Sequence, residues 1–273
     1  MIPAKFDYEV ASSVDDAIRL LGQSDDAKLL AGGHSLLPLM KLRFAQPSLL
    51  VDIGRLGDLS YVRGDGNAVA IGALTRHHDV ATSPLLRQEC AIVADAARQV
   101  GDPQVRHRGT IGGSVAHGDP ASDLPTVLLA LDADLVVRGP GGERTIPARE
   151  FFTGFLETAL GAQDVLTEIR VPKLGGNAST YLKFNRRAQD WATVAVAAVA
   201  SNGGARIALT NMGPTPLRAT AAEEALAAGA GAAGAAEKAA EGTSPPSDTN
   251  ASAEFRKHLA RVLTRRALEA IGK

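Results

Sequence analysis

The stretch "LLAGGHSLLPLMKLR", Leu29 to Arg43, sets two bare glycines, a histidine and a serine between apolar runs. Gly32 and Gly33 have no side chain to shield their backbone N–H groups and can take positive φ, a freedom that costs conformational entropy. A chain that accepts this cost beside a hydroxyl either holds an anion on the exposed N–H groups or turns a tight corner. Upstream, "FDYEVASSVDDAIRLLGQSDDAKLLAGG" has a serine-capped start, then Val14, Ala17, Ile18 and Leu21 at helical spacing, then a short strand at Lys28–Leu30. Downstream, "PSLLVDIGRL" reads as a second apolar strand closed by a breaker. Strand, glycine loop, apolar segment and strand make one compact unit over 1–58.

Composition bounds what such a unit belongs to. The 273 residues, 45% hydrophobic and 22% charged, describe a globular chain of one to three units with a sizeable core. A net charge of −1 gives no electrostatic reason to expect nucleic acid or anionic lipid as the main partner. There is no opening of signal-peptide type and no apolar run long enough to span a bilayer, so the cytoplasm is the expected compartment. One cysteine, Cys90, excludes an internal disulfide and a cysteine-ligated zinc site or iron–sulfur cluster built from this chain alone. No metal site is expected of the histidines: the side chains of adjacent His77 and His78 diverge, and His107 in "VRHRG" sits between two cations.

Beyond Leu59 the texture changes. "YVRGDGNAVAIGALT" reads as a hairpin turning at Asp65–Gly66–Asn67. "SPLLRQECAIVADAARQVGD" reads as one helix, with Pro84 in its first turn and Gly101 past its end. A second glycine pair, another hairpin at Pro140–Gly142 and a strand "DVLTEIRVP" ending at Pro172 close a unit over 59–174. The remainder, 175–273, reads as three strands with a turn at Asn202–Gly204, followed by helices over Ala221–Ala228 and Ala253–Ile271. Between those helices lies an alanine- and glycine-rich stretch grading into a Ser/Pro loop.

Two apparent signatures fail on their own mechanics. Gly229, Gly231 and Gly234 satisfy the dinucleotide spacing G-x-G-x-x-G, but an alanine-rich helix precedes them where a strand is required, so they read as a loose helix end. "GGSVA" around Ser114 has Ala116 where a nucleophile elbow needs glycine. What stands is the likeness of "AGGHS", Ala31 to Ser35, and "TIGGS", Thr110 to Ser114. Each joins a glycine pair to a serine hydroxyl, so the two loops either clamp a pyrophosphate or are unrelated tight turns. Asp123, in "DPASDLP" just after the second loop, either accepts a hydrogen bond from a cofactor hydroxyl or caps the following helix.

"LLAGGHSLLPLMKLR", "GDPQVRHRGTIGGSVAHGDPASDLP" and "DVLTEIRVP" closely resemble the FAD-binding medium subunit of molybdenum hydroxylases, the carbon monoxide dehydrogenase type more than the xanthine dehydrogenase type. "LKFNRRAQDWATVAVA" and "SAEFRKHLARVLTRRALEAI" resemble the C-terminal domain of that family, so the likeness runs through the whole chain. It implies an α+β protein: a two-subdomain FAD-binding fold of the vanillyl-alcohol oxidase (PCMH) type, then a small α/β C-terminal domain with a three-stranded sheet. By this resemblance Ala31, Gly32, Gly33, His34 and Ser35 wrap the FAD pyrophosphate together with Thr110, Ile111, Gly112, Gly113 and Ser114. It implies further that Asp123 meets cofactor hydroxyls, that Leu166 and Lys183 lie at the isoalloxazine ring, and that Trp191 stacks on or shields it. The family often has asparagine where this chain has His107 and Ser114.

The resemblance also gives the single cysteine a meaning. The chain would be the terminal electron-transfer subunit, receiving electrons from molybdopterin through [2Fe-2S] clusters held by other subunits and passing them to an external acceptor. Its partners would be a large molybdopterin subunit and a small iron–sulfur subunit, assembled as a dimer of three-chain units. Substrate oxidation would then occur elsewhere, and no residue here is nominated as catalytic. Two other readings compete: a self-contained flavin oxidoreductase of the same fold, which needs an acid or base facing the flavin, and a non-catalytic module binding a phosphorylated ligand.

Overall fold

In the computed structural model, which describes residues 1–273, the strands Asp7–Val10 and Lys28–Leu30 flank Leu49–Asp52, all three parallel. Parallel strands need crossovers: helix Val14–Leu21 carries the chain from the first strand across to Lys28–Leu30 on the far side of Leu49–Asp52. Its N-terminus is fixed by Ser13, whose hydroxyl accepts from the Asp16 N–H at 3.0 Å. Val14, Ala17, Leu20 and Leu21 then pack with Leu49 and Val51 in the N-terminal core. The loop Ala31–Ser35 therefore leaves the carboxyl end of a parallel strand, the edge where open parallel sheets bind ligands. A short helix, Leu36–Lys41, follows it directly.

The middle unit is a five-stranded antiparallel sheet in the order Val62–Asp65, Ala68–Gly72, Val165–Pro172, Asp134–Gly139, Gly142–Pro147. Both expected hairpins form, with Gly66 at φ +55° and Gly142 at φ +97° supplying their left-handed turns. The expected single helix after Ser83 is instead two, Pro84–Glu89 and Ala91–Arg98. The break falls at Cys90, which leaves helical geometry at φ −155° and ψ 64°. It redirects the second segment so that Ile92, Val93, Ala96 and Ala97 join Leu86 in the main core, and it leaves the Glu89 carbonyl to accept from the Leu174 N–H at 2.8 Å.

The C-terminal sheet has four strands, not three: Ser179–Phe184, Val194–Ser201, Gly204–Thr210 and Leu217–Arg218. The fourth is only two residues long and follows Pro214 and Pro216, so neither length nor alternation marks it in the sequence. Strand Val194–Ser201 shows why the chain holds together. Ala195, Ala197 and Val199 face the main core with helix Asp123–Ala130, while Val194, Val196 and Ala198 face the core of the C-terminal helices. Period-two alternation thus buries both faces, and the small alanines let the middle unit's helix approach closely.

Helices Thr220–Ala227 and Ala253–Ala270 cover the outer face, and between them the alanine-rich stretch forms a further helix, Ala232–Glu237. Gly231 is its N-cap, and Ala235 and Ala236 are buried. Gly229, at φ +91°, does end helix Thr220–Ala227, whereas Gly231 and Gly234 belong to the next helix rather than to a loose end. Burial of alanine against Ala253–Ala270 overrides the low complexity of the sequence. No helix of the chain is long and apolar enough to cross a membrane.

Candidate cofactor site

The two glycine loops lie against each other. A methyl group added at Gly32 would collide with the Arg108 carbonyl oxygen and lie 2.8 Å from the Gly109 Cα, so only glycine permits this approach. Of the two pairs, only Gly33 takes positive φ, at +75°. Gly112 and Gly113 lie instead in the first turn of helix Ile111–His117, which corrects the expectation that the second glycine pair sits in a loop. Gly112 is there for contact: its added methyl would lie 2.6 Å from the Ala73 carbonyl oxygen.

The loops differ in what they leave open. The Ile111 and Gly112 N–H groups donate to the carbonyls of Thr75 and Ala73 at 3.0 and 2.8 Å. Those of Gly113 and Ser114 donate to the Thr110 hydroxyl and carbonyl, both at 3.1 Å. The N–H groups of Gly32, Gly33, His34 and Ser35 have no such acceptor; the loop's internal contact is between His34 Nδ1 and the Gly32 carbonyl at 3.0 Å. The first loop thus offers backbone donors and the second offers the Ser114 hydroxyl, the Thr110 hydroxyl being buried as the helix cap. Unshielded donors and a hydroxyl without a nearby lysine suit the spread charge of a pyrophosphate.

Two basic side chains, Arg76 and His77, support this junction from below. Arg76 donates to the Arg108 carbonyl, and burial, with Arg108 nearby, pulls its guanidinium below the usual range. His77 donates its backbone N–H to the Gly109 carbonyl at 3.0 Å, and its ring lies under Gly109. His78 points away and stacks on His107, ring centroids 4.2 Å apart. His77 is 4% exposed and its Nδ1 has no partner. Burial foremost, then the charges of His34, Arg106 and Arg76, lower it from 6.5 to about 4.

A measurable consequence follows. Between these two values the unfolded state holds more protons than the folded one, so stability is full above pH 6.5 and falls as the pH drops toward 4. The loss totals about 3 kcal/mol at 1.36 kcal/mol per pH unit. Denaturant unfolding at a series of pH values should show this slope in the parent chain. In His77→Asn it should be largely absent, whatever that variant's stability at neutral pH.

Asp123 neither caps its helix nor stands open to a ligand. Ser122 occupies the cap position, and Asp123 is the first helical residue, buried at 5% exposure. Its carboxylate accepts from the Tyr181 hydroxyl at 2.6 Å and from Lys183 Nζ at 3.0 Å, both on strand Ser179–Phe184. Lys183 also donates to the Gln99 carbonyl at 3.1 Å. Burial pushes the Asp123 carboxyl up, opposed by the lysine and the tyrosine, and burial keeps the Tyr181 hydroxyl protonated far above its usual value. Two expected site residues are thus brought together as a buried ion pair. Tyr181, unremarked in the sequence, completes it; its period-two spacing from Lys183 along the strand is the signal that was there to use.

Leu166 is 5% exposed within the main core, at a bulge of the central strand. Trp191 is 55% exposed on a cavity of about 390 Å3 lined also by Asp119, Phe155, Asp190, Asn211 and Arg256. Arg256 is fully buried and donates to the Thr193 carbonyl and to Asp248, which ties the Trp191 segment to the C-terminal helix. Nothing in the local sequence marks the link to Thr193, which is 63 residues away; Asp248 is eight residues before Arg256.

Residues 4–174 match the FAD binding domain in molybdopterin dehydrogenase, and residues 179–271 match the CO dehydrogenase flavoprotein C-terminal domain. The chain belongs to this flavoprotein family. It is 44% identical to the carbon monoxide dehydrogenase medium chain of Hydrogenophaga pseudoflava, over 99% of this chain and 98% of that one. It is 36% identical to the glyceraldehyde dehydrogenase medium chain of Sulfolobus acidocaldarius, over 99% and 100%.

Among solved structures, carbon monoxide dehydrogenase from Hydrogenophaga pseudoflava superposes with a TM-score of 0.96 at 46% identity, covering 99% of this chain and 98% of the other. Reconstituted CO dehydrogenase from Oligotropha carboxidovorans does so with 0.94 at 39%, covering 99% of both. As a medium FAD subunit of the molybdenum hydroxylase family, the chain carries FAD and is part of an oxidoreductase. Its FAD-binding domain and C-terminal domain meet along the alanine face of strand Val194–Ser201.

Proposed function

We propose that the chain is the electron-transfer subunit of a molybdenum hydroxylase, taking electrons from [2Fe-2S] clusters of a small partner subunit and passing them to an external acceptor. The observation that carries this is the open row of N–H groups from Gly32 to Ser35, packed through Gly32 against the second loop. In this reading those donors, with the Ser114 hydroxyl, hold the FAD pyrophosphate, and Thr110 fixes the helix start beneath it. Asp123 and Lys183 keep the two domains in register beside the cofactor, Leu166 backs it from the core, and Trp191 shields the ring. When bound, FAD accepts electrons singly and releases them as a pair. The protein's own part is to hold the pyrophosphate on preformed donors, keep the domains fixed by a buried ion pair, and leave one side accessible to partners.

The expected assembly is a cytoplasmic dimer of three-chain units, with a large molybdopterin subunit and a small iron–sulfur subunit. The expected units within this chain are 1–58, 59–174 and 175–273. Mixing experiments test the reading. The chain alone should bind FAD and give only slow transfer between an added reductant and a dye. Its flavin should be reduced rapidly once it is co-purified with iron- and molybdenum-bearing chains and given their substrate. A chain that oxidises a defined organic substrate unaided would replace this reading with the self-contained flavoenzyme.

A further inference from the structure

The segment after the open glycine loop has a face that the cofactor does not use. Helix Leu36–Lys41 buries Met40 and leaves Leu37 37% exposed. Beyond its end Leu42 is 50% and Phe44 80% exposed. Phe44 is not on a frayed end: its N–H donates to the Leu39 carbonyl at 2.9 Å, and the Arg43 N–H donates to that of Met40 at 3.0 Å. Arg43 itself takes φ +61°, a conformation that disfavours side chains with a Cβ. Such a turn ordinarily folds the next apolar residue back onto the helix. Here the strained turn holds an aromatic ring out into solvent.

The charge around this strip has one sign. Between Asp26 and Asp52 the chain has Lys28, Lys41 and Arg43 and no carboxylate, in a protein whose net charge is −1. Lys41 and Arg43 are exposed on either side of Leu42. A second copy of this chain meeting the strip about a two-fold axis would set these cations against themselves, so an unlike partner is favoured. Position narrows the choice. Ser35 ends the glycine loop and is also the N-cap of this helix, which extends roughly 9 Å at 1.5 Å per residue. A chain seated here sits beside the loop offered to the FAD pyrophosphate, on the same edge of the chain as the cofactor that the iron–sulfur chain would reduce.

We propose that Leu37, Leu42 and Phe44, framed by Lys41 and Arg43, form the docking surface for the iron–sulfur partner chain, which meets them with an apolar patch rimmed by carboxylates. This rests on the reading above that such a chain delivers the electrons. The aromatic and leucine side chains supply the desolvated centre of the contact, and the cations steer approach and fix orientation.

Co-expression of the full chain with its iron–sulfur and molybdenum partners tests this, using flavin content, iron content and sizing of the product. Leu42→Glu with Phe44→Glu should leave the flavin-to-protein ratio unchanged and lower the affinity for the iron–sulfur chain about a hundredfold, the scale of losing a contact's central residues. Lys41→Gln with Arg43→Gln should slow association about tenfold and largely remove its salt dependence. Phe255→Glu, at an exposed aromatic of the C-terminal helix, should do neither.

If the parent chain assembles with the iron–sulfur chain and the Leu42/Phe44 double variant does so equally well, the surface is misassigned and the electron-transfer reading stands. If the parent chain takes up no iron–sulfur partner, that reading falls and this proposal with it. Retention of the partner by the double variant, with loss of binding to vesicles containing phosphatidylserine, would assign the strip to a membrane instead.

Discussion

Gly32→Val is expected to leave the protein nearly colourless. Its Cβ would stand against the Arg108 carbonyl and 2.8 Å from the Gly109 Cα, both backbone atoms that cannot swing aside. The two loops must separate, at a cost of about 1–3 kcal/mol for overpacking alone, and the row of N–H groups moves with them. Retained FAD should fall by roughly 10- to 100-fold in affinity, read as the flavin-to-protein ratio and by titrating the apo form. Gly231→Val is the control: nothing lies within 4 Å of an added methyl there, and its φ of −68° suits any residue. Flavin lost from the Gly231 variant and kept by the Gly32 variant would move the cofactor site away from these loops.

Asp123→Ala is expected to be the most destabilising single change toward Lys183. The Lys183 side chain is 3% exposed, and its salt bridge to Asp123 spans 3.0 Å. Removing the carboxylate leaves a buried ammonium uncompensated and the Tyr181 hydroxyl without its acceptor, a loss of about 3–5 kcal/mol. Asp123→Ala combined with Lys183→Met should recover much of that, since no buried charge remains. Denaturant unfolding of the apo protein measures both variants. Repeating it with saturating FAD separates two roles. An equal loss with and without cofactor assigns the pair to domain registration alone, whereas a larger loss with FAD adds a cofactor contact.

Much of the fold was legible because it rests on local rules. Ser13 before Val14, Ala17 and Leu21 marks a capped helix, and Gly66 and Gly142 mark hairpins, since a positive φ is demanded by the turn itself. The two glycine loops were legible for the same reason, although not for what each does. Gly32 and Gly112 are required by close backbone contact rather than by conformation, and a contact between Gly32 and Gly109 has no signature in either segment. The break at Cys90 was hidden because helical periodicity continues across it, and strand Leu217–Arg218 because two residues carry no period.

By itself, then, the sequence determined the order of helices and hairpins, the presence of two glycine–hydroxyl loops and the absence of a cysteine set for clusters. Each is written in neighbouring residues, where propensity, capping and turn chemistry act. Tertiary structure alone decided that the first loop keeps its N–H groups free while those of the second are taken by Ala73, Thr75 and Thr110. It alone turned Asp123 from a cap into the partner of Tyr181 and Lys183, residues 58 and 60 positions away. Burial and hydrogen-bond satisfaction are settled by whatever side chains the packed fold brings within about 3 Å, and sequence separation puts no limit on which those are.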